Sequence, residues 1–319
     1  MRIAVVIPFY NGDRFIQPCL ESVLSGNIEL AAIYVVNNSS VPTGIHQLYP
    51  NHRVIRIIDC KPSIGFGRAN NIGASFAIKE NMEIIVFLNQ DTIVLKDTIA
   101  NLISPFTYDS KMALSVPVIY RYDDENSIEE EFFKMYMNPI HKLRSDLSLK
   151  GILEKYYEIS HAVSGACVAV RSTDILELGL FEPEIYMYGE DVDLFTRYKS
   201  YNKKAVLVTN SKVRHLHSHL LAKGDDLIKI KTYIHRFTPY SIWKWPAKSI
   251  TKRVWSLFAW LCREYATVLY KMQFLIFKEF VKTDVSLPYR LLKISKHRNI
   301  DILKSDIENQ VRADILSSS

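Results

Sequence analysis

Short apolar runs recur along the first 120 residues, each closed by a polar turn and most followed by a stretch with helical apolar spacing. This alternation restricts the chain more than any other feature. Residues 3–9 (IAVVIPF) read as a buried strand that ends at Pro8 and the turn Asn11-Gly12-Asp13. Apolar positions Phe15, Ile16, Cys19, Leu20, Val23 and Leu24 then predict an amphipathic helix over 14–25. Further strands are expected at 31–36, 53–58, 83–88 and 112–119, and helices at 68–80 and about 96–106. Strands alternating with helices imply right-handed βαβ units and a mostly parallel sheet. Such sheets bind ligands at the carboxyl ends of their strands. The loops Tyr10–Asp13, Asn37–Ser40 and Asn89–Asp91 all fall there, so three polar clusters share one rim.

Four features on or near that rim carry chemistry. Asp91 closes an apolar strand and can hold a divalent cation or cap the turn that follows. Glu190, Asp191 and Asp193 are three acids in four positions before a helical stretch. One can serve as a general base, its pKa raised by like charge; equally, all three can complement a helix dipole. His215, His217 and His219 alternate on an extended segment, as metal or phosphate contacts or as a polar edge strand. The run Ser63–Gly73 contains Gly65-Phe66-Gly67 but not the dinucleotide GxGxxG, and no acid stands about 20 residues on. That argues against a nicotinamide enzyme, while a Gly-rich loop before a helix still suits an anion.

Charge and cysteine narrow the remaining options. Residues 1–235 sum to −2 and residues 236–319 to +8, giving the overall +6, and all four Trp lie beyond residue 236. A boundary between 1–235 and a basic, Trp-rich extension at 236–319 follows. The four Cys form no CxxC pair, so neither a zinc ribbon nor a disulfide scaffold is expected. The N-terminus enters a β-branched run directly, with no signal-peptide pattern, and a cytoplasmic location is expected. Residues 121–160 are expected to form a helical excursion or a mobile loop near the rim.

In the extension, Arg253, Glu264, Lys271, Lys278 and Lys282 form one narrow helical stripe beside a wide apolar face that includes Trp255, Phe258 and Leu275. Its longest uncharged stretch, Val254–Cys262, falls far short of the roughly 20 residues a spanning helix needs. It fits an interfacial membrane helix over 241–282, or a helix packed on the catalytic part or in a dimer. No recognised motif accompanies the charge, so nucleic acid is not an expected partner.

Six segments, in this order, resemble inverting glycosyltransferase family 2 and its rhamnosyltransferase-like branch. They are Val5–Asn11, Val35–Ser40, Gly65–Gly73, Phe87–Thr92, Ser164–Cys167 and Met187–Leu194. The resemblance covers about residues 1–240. It implies a GT-A fold, Rossmann-like and α/β with a helical extension; a dTDP- or UDP-linked sugar donor; and Mg or Mn. It places Pro8, Tyr10 and Asn37 at the nucleoside, and Gly65, Arg68, Asn71, Asn89 and Gln90 elsewhere on the donor side. Asp91 would bind the metal with His215, His217 being the close rival. Asp191 would be the catalytic base, and Gly165, Tyr188 and Glu190 would meet the acceptor. Asn37 and Asn89 stand where many members carry Asp, and Asn89 favours the rhamnosyl-like branch. The implied acceptor is a growing, lipid-linked surface polysaccharide, with rhamnose the sugar the branch points to. A catalytically silent carbohydrate-binding or scaffold protein of the same fold is the alternative.

Overall fold

The computed structural model describes residues 1–133, 135, 154–160, 162–216, 224–244, 249–270 and 273–315. One nine-stranded sheet is built from β1 (Ile3–Phe9), β2 (Ala32–Asn37), β3 (Ile55–Asp59), β4 (Ile84–Leu88), β5 (Thr92–Val94), β6 (Met112–Arg121), β7 (Tyr156–Ile159), β8 (Cys167–Arg171) and β9 (Lys204–His215). The order is β3-β2-β1-β4-β8-β6-β9-β5, with β7 also paired to β9. Strands β1, β2, β3, β4, β6 and β9 run one way, while β5, β7 and β8 oppose them. The sheet is therefore mixed but mostly parallel, as the alternating pattern requires.

Every residue of β1 and β4 is buried, which explains their unbroken apolar runs: helices cover both faces of a parallel sheet. The helix Phe66–Lys79 packs so closely on β1 and β2 that a Cβ at Gly73 would lie 2.4 Å from Val6 Cγ1. The predicted helix at 96–106 is shorter, Thr98–Ile103, because Pro105 turns the chain into the 3-10 segment Ser104–Thr107. Strand β9 is no edge strand, since β6, β5 and β7 all pair with it. Of the expected excursion over 121–160, the structure describes a helical turn at Glu130–Phe132 and strand β7; residues 136–153 lie outside the described residues.

The C-terminal part is helical, with helices Gly224–Lys244, Ile250–Tyr270, Phe274–Val285, Leu287–Ser295 and Ile300–Asp314. The expected boundary at 235/236 falls inside the first of these, so the change in composition does not coincide with a break between elements. The helices Gly224–Lys244 and Leu287–Ser295 share a second core of Phe237, Tyr240, Leu287, Leu291 and Ile294 with Ile185. The last helix returns to the sheet domain, where Lys61 N–H donates to the Asp314 carbonyl (2.8 Å).

Candidate active site

At the carboxyl ends of β1, β2 and β4 lies a cavity of about 430 Å³. The residues lining it include Pro8, Tyr10, Gly65, Asn89, Gln90, Asp91, Gly165, Tyr188, Glu190, Asp191 and His215. Eleven of the fourteen expected site residues thus meet around one cleft, and both acids, Asp91 and Asp191, face it.

Asp91 stands three residues past the end of β4 and directly before β5, and the antiparallel pairing of β5 with β9 sets Thr92 opposite His215. That register brings His215 Nε2 to 3.3 Å from Asp91 Oδ1 and 3.2 Å from Asn89 Nδ2. One ring nitrogen therefore faces a carboxylate and an amide donor. Unprotonated, it accepts from Asn89 and opposes Asp91; protonated, it suits Asp91 and opposes the amide as oriented. A cation between imidazole and carboxylate would take the ring lone pair and a carboxylate oxygen, and the Asn89 amide, turned over, would present its oxygen to it. Asn89 Oδ1, beside them, is buried without a protein partner. One carboxylate and one imidazole suit a divalent ion that draws its other ligands from phosphate oxygens. Among the described residues no three His, Cys, Asp or Glu side chains cluster as a complete metal site. His217 lies outside the described residues.

The second acidic pair begins the helix Glu190–Ser200, after Tyr188 and Gly189 turn the chain through left-handed backbone (φ 66° and 105°). Asp191 Oδ2 accepts a hydrogen bond from Gly165 N–H (3.1 Å), and its Oδ1 from Val192 N–H (2.8 Å). Asp191 keeps some solvent contact through the cleft, although protein surrounds it densely. Burial raises its pKa, and the backbone donors pull against that rise. Glu190 is 7% exposed, and its Oε2 lacks a protein partner. Burial, and then the Asp191 charge, push the Glu190 carboxyl up to about 8. Glu190 is therefore held protonated near neutrality, while the two backbone donors to Asp191 favour the charged form of that carboxyl against its burial.

Gly65 fixes the wall between the two pairs. Its φ is +100°, and a Cβ there would sit 2.5 Å from the Tyr186 carbonyl oxygen, which accepts from Phe66 N–H (3.1 Å). Gln90 acts on the β1 loop: its amide accepts from Tyr10 N–H (2.9 Å) and donates to the Tyr10 carbonyl (3.0 Å).

Three expected donor-side residues lie elsewhere. Arg68 points from its helix to the C-terminus and makes a two-pronged ion pair with Asp314, Nε to Oδ2 at 2.8 Å and Nη2 to Oδ1 at 2.6 Å. Asn71 is buried and exchanges hydrogen bonds with the Phe181 backbone (2.9 and 3.0 Å). Asn37 donates to Asp59 Oδ1 (2.8 Å) rather than into the cavity, and its neighbour Asn38 lines the cleft instead. Adjacent residues at a strand end face opposite sides, so the Asn-Asn pair left the choice open. Tyr186 and Met135 also line the cavity, and no local pattern marks either of them.

A mixed α/β sheet with a cation-suited pair and a carboxylate pair on one cleft fits a glycosyltransferase of the GT-A type. The model for glycosyl transferase family 2 matches residues 4–175, and the chain belongs to that family. Among curated proteins none matches it by sequence. Of solved structures, Staphylococcus aureus TarS 1-349 in complex with UDP-GlcNAc aligns with TM-score 0.57 at 14% identity, over 98% of this chain and 92% of that one. The mannosyltransferase PcManGT from Pyrobaculum calidifontis, in complex with GDP-Man and Mn2+, aligns with TM-score 0.55 at 13% identity, over 89% and 86%. GalNAc-T7 with UDP, GalNAc and Mn2+ aligns with TM-score 0.53 at 16% identity; this chain covers 58% of its length and is itself covered to 85%. At these identities the likeness is one of fold.

Proposed function

We propose that the protein transfers a sugar, rhamnose in the reading its branch resemblance favours, from a UDP- or dTDP-linked donor to a hydroxyl of a lipid-linked glycan, with inversion. The observation that carries this is the placement of Asp91–His215 and Asp191–Glu190 on one cavity. Pro8 on β1, Tyr10 just after it and Asn38 after β2 offer the nucleoside a wall. Asp91 and His215 hold the cation, which when bound supplies positive charge against the departing diphosphate. Asp191, steadied by the Gly165 N–H, takes the proton of the acceptor hydroxyl as it attacks the anomeric carbon from the face opposite the nucleotide. Glu190, still protonated, can donate to an acceptor or donor oxygen. A single displacement inverts the configuration.

The acceptor's lipid and the basic extension belong to the same reading. Among the described residues no helix is long and apolar enough to cross a membrane. Trp255 is 69% exposed and Phe258 57%, and the two rings meet edge to face at 5.9 Å. With the +8 of residues 236–319, these rings fit a peripheral contact with anionic lipid at the inner face of the cell membrane. Sedimentation with anionic vesicles tests it; equal binding by a Trp255→Ser, Phe258→Ser variant removes it.

The transferase reading is tested by thermal melts with UDP-, dTDP- and GDP-sugars, each with Mn2+, Mg2+ or chelator. A donor at about 100 times its Kd stabilises by about 2.7 kcal/mol. The expected result is a shift with UDP- or dTDP-sugars, and not with GDP-sugars, that requires the cation. No shift with any donor in the presence of either cation would overturn it.

A further inference from the structure

The helix that carries Asp191 is held at its first turn by a buried charge cluster to which the C-terminal helices contribute. Asp193, two residues after Asp191, and Glu182, ahead of the cleft-lining segment, are both fully buried. Lys244, the last residue of the helix Gly224–Lys244, extends its ammonium to both: it bonds Glu182 and lies 3.3 Å from Asp193 Oδ1. Arg197 lies across the other Asp193 oxygen, Nη2 to Oδ2 at 3.4 Å. His297, from the turn after the helix Leu287–Ser295, meets Glu182 through Nδ1 (2.7 Å) and Asp306 through Nε2 (2.8 Å).

We infer that Lys244 is a positioning residue for Asp191, locking the first turn of the helix Glu190–Ser200 to the C-terminal helices. The inference rests on the reading of Asp191 as the base. Two buried carboxylates are costly unless paired, and Lys244 places one cation between them. Burial alone would raise Glu182; the Lys244 charge and the His297 hydrogen bond outweigh it and hold that carboxyl at about 2. The geometry makes the lock relevant to chemistry as well as to stability. The Asp191 carboxylate is referenced to Gly165, just ahead of β8, by the 3.1 Å hydrogen bond. Its backbone is referenced to Lys244 through Asp193. Release of Lys244 frees the helix start to slide against Gly165, and a displacement near 1 Å at a reacting group costs about 10²-fold in rate.

The test compares Lys244→Met with Leu291→Ala, which loosens the C-terminal core without touching the charge cluster. The first readout is the amide resonance of Gly165, which reports its bond to Asp191 whether or not Asp191 is the base. The second is kcat and KM for Mn2+-dependent hydrolysis of the nucleotide sugar that gives the largest thermal shift. Lys244→Met is expected to move the Gly165 resonance toward that of an amide without a partner. It should also lower kcat by about 10²-fold, with the donor KM little changed. Leu291→Ala is expected to lower Tm and leave both readouts in place. An unmoved Gly165 resonance in Lys244→Met overturns the inference, as does an equal kcat loss in both variants. Should Lys244→Met not fold, Glu182→Leu with Lys244→Met removes the pair without leaving that buried carboxylate unpaired, and the same two outcomes decide. An active Asp191→Asn beside a moved Gly165 resonance indicts the base assignment and leaves the lock standing.

Discussion

His215 Nε2 stands 3.3 Å from Asp91 Oδ1, although one residue ends β9 and the other follows β4. The short strand β5 makes the meeting, because Thr92 pairs with His215 across the sheet. A carboxylate and an imidazole from distant parts of the chain thus share the floor of the cleft.

Replacing either member should weaken cation-dependent donor binding. In Asp91→Ala the thermal shift given by donor plus Mn2+ is expected to fall to the level seen with chelator, because the one carboxylate of the pair is gone. His215→Ala should retain part of it. A full Mn2+-dependent shift in Asp91→Ala would remove Asp91 from the metal role.

Asp191→Asn keeps the shape and a hydrogen-bonding oxygen for Gly165 but cannot take a proton. Turnover should drop by about 10²–10⁴-fold, while the donor-induced thermal shift stays close to that of the parent. Near-parental turnover would end its assignment as the base.

Glu190 gives a pH signature in stability. Its folded pKa, about 8, lies above the ordinary 4.5, so the folded state binds the extra proton between those values. The stabilisation is full below about 4.5 and is lost as pH rises through about 8. Glu190→Gln, which mimics the protonated form, should remove this loss. Melts of parent and variant between pH 5 and pH 9 check it; parallel Tm curves would show that Glu190 is not held protonated.

Arg68→Met separates two roles for one residue. The ion pair with Asp314 is largely shielded, with side chains 25% and 3% exposed. Its loss leaves a buried carboxylate short of its main partner and should destabilise by about 3 kcal/mol. Donor affinity should not change. Chemical denaturation and a donor titration measure the two effects; weaker donor binding at intact stability would return Arg68 to the donor site.

Much of the cleft's rim was legible because it depends on local periodicity. Apolar runs of strand length before helical spacing fix the βαβ units, and with them the side on which the loops after β1, β2 and β4 emerge. Glu190, Asp191 and Asp193 could be placed between Gly189 and a helical stretch from local order, and the structure sets them in the first turn of that helix. Residues within one motif still divided. Gly65 reaches the cleft, while Arg68, three positions on, points to the C-terminal helix. Spacing on a helix gives the face a residue occupies but not what will pack on that face.

From the sequence by itself came the layered α/β architecture, the family, and a rim bearing Asp91 and Asp191. Backbone period and burial of apolar faces dictate these within stretches of a few tens of residues. Tertiary structure alone decided that β9 lies beside β5, so that His215 meets Asp91. It alone spent Arg68 on Asp314 and set Lys244 between Glu182 and Asp193. Those outcomes depend on which distant surfaces exclude water from one another, and a buried charge finds its partner only once that packing exists.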